Sequence, residues 1–129
     1  MLLNLSLPFA QEMLDKHGEF FPYGAAVTTD GNPRLISASP AGGEQPTSAN
    51  VLATLVEDLR SQRHGLRAAA VVSDVRAADS DAVRLELEHR EGASVAVLVP
   101  YRKNSSREGG VEYGSPVAVP ESLQLWVHR

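Results

Sequence analysis

The sequence predicts an α+β fold: a single layer of mainly antiparallel sheet, about five strands, with two helices packed on one face in the order α-β-β-α-β-β-β(-β). Three features point there. Ala82–Arg102 holds the longest strand pattern and is broken only at Glu91-Gly92. Val51, Leu52, Leu55, Val56 and Leu59 recur at helical spacing, and Asp30-Gly31 separates two short extended runs. A chain of 129 residues suits one domain, 1–129, around one core.

Taken in order, Ser6 is placed to cap a helix over Leu7–His17, with Pro8 in its first turn and Gly18 ending it. Phe9, Met13 and Leu14 then share one side. Phe20-Phe21-Pro22-Tyr23 leads into a strand over Ala25–Thr29, and Asp30-Gly31 predicts a two-residue turn to a returning strand, Arg34–Ser39. Pro33 cannot donate to a ladder, so that strand belongs at an edge. Ala41–Pro46 is a loop by composition. Thr47 or Ser48 caps the second helix, which Gln62, Arg63 and Gly65 close.

Arg67–Arg76 follows as a strand, Val71, Val72 and Val75 outweighing the preceding alanines. After the link Ala77–Asp81 comes the hairpin, then a polar loop, Arg102–Gly110, and an irregular edge strand over Val111–Val119 interrupted by Gly114 and Pro116. Leu123–Val127 is too apolar for a free tail and is expected to pack back on the domain or on a neighbour.

Composition narrows the functional classes. Hydrophobic residues at 43%, charged residues at 22% and a mean hydropathy of -0.17 are those of an ordinary globular domain. A net charge of -4 with scattered basic residues argues against a nucleic-acid partner, because phosphate neutralisation needs clustered Lys and Arg. The chain has no cysteine, hence no thiol nucleophile, thiolate metal site or disulfide. The first residues lack the basic and apolar regions of a signal peptide and no stretch approaches a membrane span, so a cytoplasmic protein without membrane contact is expected.

The chemical motifs are equally sparse. No Gly-x-Ser-x-Gly elbow occurs, and Gly42-Gly43 and Gly109-Gly110 lack the spacing of phosphate loops. His17, His64, His89 and His128 are too dispersed for a zinc site, so neither catalytic residues, a cofactor nor a metal is assigned. Glu86 and Glu88 would sit about 7 Å apart on one strand face, within reach of an acid pair. Arg84 and Arg90 on the same face favour a charge ladder instead.

With Glu91-Gly92 as a two-residue turn, Glu88 would face Val95, Glu86 would face Val97 and Arg84 would face Val99. Leu85 would then meet Leu98, and Leu85, Leu87 and Leu98 would be buried. The opposite face would mix charges with valines, which predicts a contact surface of Arg84, Glu86, Glu88, Val95, Val97, Val99 and Tyr101 for a protein partner or a second copy. A ligand pocket near Tyr23, Asp74 and Arg76 is the alternative.

The segment His17-Gly-Glu-Phe-Phe-Pro-Tyr-Gly-Ala25, the Thr29-Asp-Gly31 turn and Val99-Pro-Tyr-Arg102 resemble a family of short bacterial proteins, a domain of unknown function. The resemblance implies a bacterial protein and carries no active site. The order of elements is also similar to roadblock-type, profilin-like and PAS-like modules, which use it for protein contacts or ligand sensing. The expected function is therefore a non-enzymatic protein-interaction or regulatory module, a homodimer or a partner-bound subunit; a small-ligand binder or an enzyme with its site between helix and sheet is the alternative.

Overall fold

The structure, a computed structural model, describes residues 2–18, 20–37, 48–76, 80–103, 111–120 and 125–126. Thr47, His128, Leu123 and most of the expected loops and links lie outside them. The elements are α1 (Leu2–His17), β1 (Tyr23–Thr28), β2 (Pro33–Ile36), α2 (Ser48–Gln62), β3 (Leu66–Arg76), β4 (Asp81–His89), β5 (Ser94–Lys103), β6 (Val111–Tyr113) and β7 (Val117–Pro120). A 3-10 turn, Arg63–Gly65, joins α2 to β3. The fold is α+β, and its sheet of seven strands runs β2-β1-β3-β4-β5, with β6 and β7 both on the outer edge of β5. Every pairing among the described residues is antiparallel.

Helix α1 begins earlier than expected. Ser6 lies inside it, fully buried, so it is not the N-cap. Gly18 does end the helix, at φ 75° and with its N–H on the Leu14 carbonyl at 2.9 Å, the geometry that a side chain resists. Pro33 starts β2, which is an edge strand as expected.

The two helices occupy opposite faces of the sheet, not one. Ala10 and Leu14 of α1 pack with Tyr23, Val72, Leu85 and Val97. Leu59 of α2 packs with Ala26, Ala69 and Val71. Successive strand residues point to opposite sides, so Tyr23 and Val72 face α1 while Ala26 and Val71 face α2. The residues under α2 are small, Gly24, Ala26 and Ala69, and a Cβ on Gly24 would make ordinary van der Waals contact with Leu59 Cδ1 at 3.5 Å. The central strand β3 therefore buries both faces, as its unbroken run Ala68–Val72 requires.

Both tight hairpins have three-residue loops where two were expected. Thr28 N–H bonds the Asn32 carbonyl and Gly31 N–H bonds the Thr28 carbonyl, each at 2.9 Å. His89 N–H to Ala93 O at 2.8 Å and Gly92 N–H to His89 O at 2.9 Å repeat the pattern. Gly31 and Gly92 have φ of 89° and 104°, whereas no non-glycine among the described residues has positive φ. A two-residue I′ turn would need positive φ at Asp30 and Glu91 as well; these loops instead place only their last residue there. His89 Nδ1 also accepts the Glu91 N–H at 3.1 Å, so this histidine serves the turn.

The extra loop residue shifts the hairpin by one position. Leu85 pairs with Val97, Leu87 with Val95 and Val83 with Val99, all toward α1. Arg84 pairs with Leu98, Glu86 with Ala96 and Glu88 with Ser94, toward the α2 side. A second offset occurs along β5, where Tyr101 pairs with Tyr113 but Leu98 with Val117. Gly114–Pro116 takes up the additional residue as a bulge, Gly114 N–H bonding the Pro100 carbonyl at 2.8 Å.

Candidate functional site

The register divides the expected contact surface between the two faces. Val97, Val99 and Tyr101 are buried in the α1 core and Val95 is half-buried on the same side, while Arg84, Glu86 and Glu88 face the other way. The cause is the parity of a strand: a one-residue slip carries every side chain to the opposite face. Leu98, expected in the core with Leu85 and Leu87, is half-buried on the α2 side.

The α2 side consequently presents a composite surface. Helix α2 packs on β1 and β3, and beyond it lie β4, β5 and β7. Leu52, Ala53 and Val56 of α2, Ser73 and Val75 of β3, and Arg84 and Glu86 of β4 line an open groove of about 550 Å³. Arg84 Nε bonds Glu86 Oε1 at 3.0 Å, both side chains about a quarter exposed. Next to this pair the sheet continues as Leu98, Val119 and Val117, the last 51% exposed. The arrangement is an apolar strip with an ion pair set into it.

Glu88 has a different role from its charged neighbours. It is buried, and its carboxylate accepts the backbone N–H of Leu125 at 2.9 and 3.1 Å and that of Trp126 at 2.8 Å. Leu125 and Trp126 are themselves buried against Leu59, Leu66 and Ala69. The apolar tail thus packs back on the domain through these two residues. The carboxylate that anchors it is legible in the sequence only as a member of a charge ladder, because no local pattern reveals a contact across 37 residues.

The expected pocket is also divided. Tyr23 lies in the row of Val72, its ring edge-on to Phe9 at 4.8 Å, and its hydroxyl donates to the Ser6 carbonyl. Asp74 and Arg76 share the α1 side of β3 at the end away from the hairpin loops. There Tyr101 Oη donates to Asp74 Oδ1 at 2.5 Å, and Arg76 Nη1 reaches Asp81 Oδ1 at 3.3 Å. The sequence did not single out Tyr113, whose ring lies 6.5 Å from that of Tyr101 and whose buried hydroxyl has no hydrogen-bond partner among the described residues.

The electrostatics of this end keep the phenols protonated. Burial pushes the Tyr101 hydroxyl above its ordinary pKa, and the Asp74 hydrogen bond and charge add to the effect. Burial raises Tyr23, and burial with the nearby Asp15 charge raises Tyr113. At neutral pH these groups are therefore hydrogen-bond donors. Among the described residues no three His, Asp or Glu side chains gather as a metal site, and no helix is long and apolar enough to cross a membrane.

Compared with protein-family models, curated proteins and solved structures, the chain matches none, so its functional reading rests on this geometry.

Proposed function

We propose that the protein is a non-enzymatic interaction module that associates with a second copy of itself through the α2-side surface of β4, β5 and β7. The carrying observation is the strip of Leu98, Val119 and exposed Val117 beside the half-buried Arg84–Glu86 pair. An exposed β-branched residue in such a strip gains by exclusion of water, and an ion pair within it fixes orientation. The sheet edges support the choice of a face. Pro33 stands on one edge strand, and Pro116 and Pro120 flank or end the other, so neither offers an uninterrupted row of donors to an added strand.

Light scattering after size exclusion, from about 1 to 200 µM, tests the reading, the range spanning ordinary dimer affinities. The wild type is expected to shift from monomer to dimer, and Val117→Asp to stay monomeric with unchanged circular dichroism. A wild-type chain that remains monomeric throughout overturns it.

A second reading is favoured by the Tyr113 hydroxyl, which is buried without a partner among the described residues, beside the Tyr101–Asp74 bond. A buried polar group of this kind gains from a ligand atom that completes it, which supports a small polar ligand at this end of the sheet. Thermal stabilisation by one compound of a metabolite panel, lost in Tyr113→Phe, would favour it; a flat response across the panel would remove it.

A further inference from the structure

We infer that the groove holding Leu125 and Trp126 is a peptide-binding site which the chain's own tail fills in cis. Its partner is a chain segment of the same chemistry, a leucine followed by a large aromatic residue with both backbone N–H groups unbonded.

Glu88 is 8% exposed and accepts three contacts of 2.8 to 3.1 Å from two successive backbone amides. On the β3 side its ladder neighbours, Ala69 and then Ala26, are apolar and fully buried, while the half-buried Ser94 pairs with it on β5. A core that is closed for good is at least as well served by an apolar side chain at such a position, because an ion brought out of water must recover its hydration. Here main-chain donors of the tail supply that recovery. The group selects a chain segment by its backbone, as peptide receptors do, and leaves side-chain choice to the apolar walls of Leu59, Leu66 and Ala69.

The same carboxylate makes the contact separable. With the tail away, Glu88 and the two amides regain water, so the open state does not strand them as buried polar groups. The last ladder pair of β7 is Val95 with Pro120, and among the described residues neither Leu125 nor Trp126 takes part in a strand pairing that would have to break. This site does not depend on self-association through Val117 and can fail or stand separately.

The test uses the full chain with Trp126→Ala, which weakens the cis occupant, and a dye-labelled peptide of the sequence of residues 121–129 as the probe. Fluorescence anisotropy is expected to show the variant binding the peptide at least tenfold tighter than the wild type, whose own tail competes. Adding Glu88→Gln, which keeps the shape but removes the charge, should weaken binding about tenfold or more, the effect of losing one hydrogen bond to a charged group. A probe with aspartate in place of its tryptophan should not bind. Absence of binding to a folded Trp126→Ala chain overturns the proposal, as does equal binding of the aspartate probe. If Trp126→Ala does not fold, Leu125→Ala is titrated in its place; should that chain also fail to fold, the tail is a fixed part of the core and the proposal is overturned.

Discussion

Raising the pH should unfold this protein through its tyrosines. All three tyrosines of the chain, Tyr23, Tyr101 and Tyr113, have pKa values raised, in each case chiefly by burial. For a phenol whose folded pKa exceeds its unfolded value, the stabilisation is complete below the unfolded pKa of about 10 and is lost as pH climbs toward the folded one. Above pH 10 the unfolded chain sheds protons that the folded chain keeps. Each retained proton removes about 1.4 kcal/mol of stability per pH unit. Counting only Tyr23 and Tyr101, which are 5% and 4% exposed, the loss reaches about 5 kcal/mol by pH 12. That equals the whole stability of many domains, so unfolding is expected between about pH 11 and 12. Absorbance at 295 nm should stay flat through pH 10 and then rise in one cooperative step coincident with loss of far-ultraviolet circular dichroism. Tyrosinate appearing gradually around pH 10 in a chain with native circular dichroism would refute the reasoning.

Three substitutions examine the hairpin. Leu85→Ala should lower stability by about 2 to 5 kcal/mol in urea unfolding, because Leu85 is fully buried under α1, whereas Leu98→Ala on the half-buried opposite side should lose clearly less. Equal losses would restore the two-residue turn and its register. Gly92→Ala should cost about 1 to 2 kcal/mol from its φ of 104° alone; a stability unchanged in the same assay would mean that the loop does not hold this conformation.

Much of the element order is legible in the sequence, and the reasons differ by element. Helix α2 and strands β3 to β5 follow from periodicity, and Pro33 marks the edge. The hairpin register is not, because Asp30-Gly31 and Glu91-Gly92 satisfy two turn geometries, a two-residue loop with positive φ at both residues and a three-residue loop with positive φ at the glycine alone. The side of each helix departs from expectation although a signal exists. Ala68–Val72 is apolar at both parities, which demands cover on both faces, whereas β4 alternates and demands it on one. The expected contact surface inherits the register error. The role of Glu88 has no sequence signature at all, since its partners are amides of the distant tail.

The order β2-β1-β3-β4-β5 also bears on how the chain reaches its fold. Its other neighbours join as hairpins or meanders, but β1 meets β3 only after β2 and α2 have been spanned, from Tyr23 to Val72. The entropy of that closure grows only slowly with length, yet it is spent before the pairing returns anything. The meander β3-β4-β5 can therefore assemble on its own schedule, and the first hairpin must arrive with α2 to cover its second face. Hypothesis: joining β1 to β3 limits the folding rate. Val27→Ala would then slow folding as much as it destabilises, and a change confined to the unfolding rate would place that joining after the barrier.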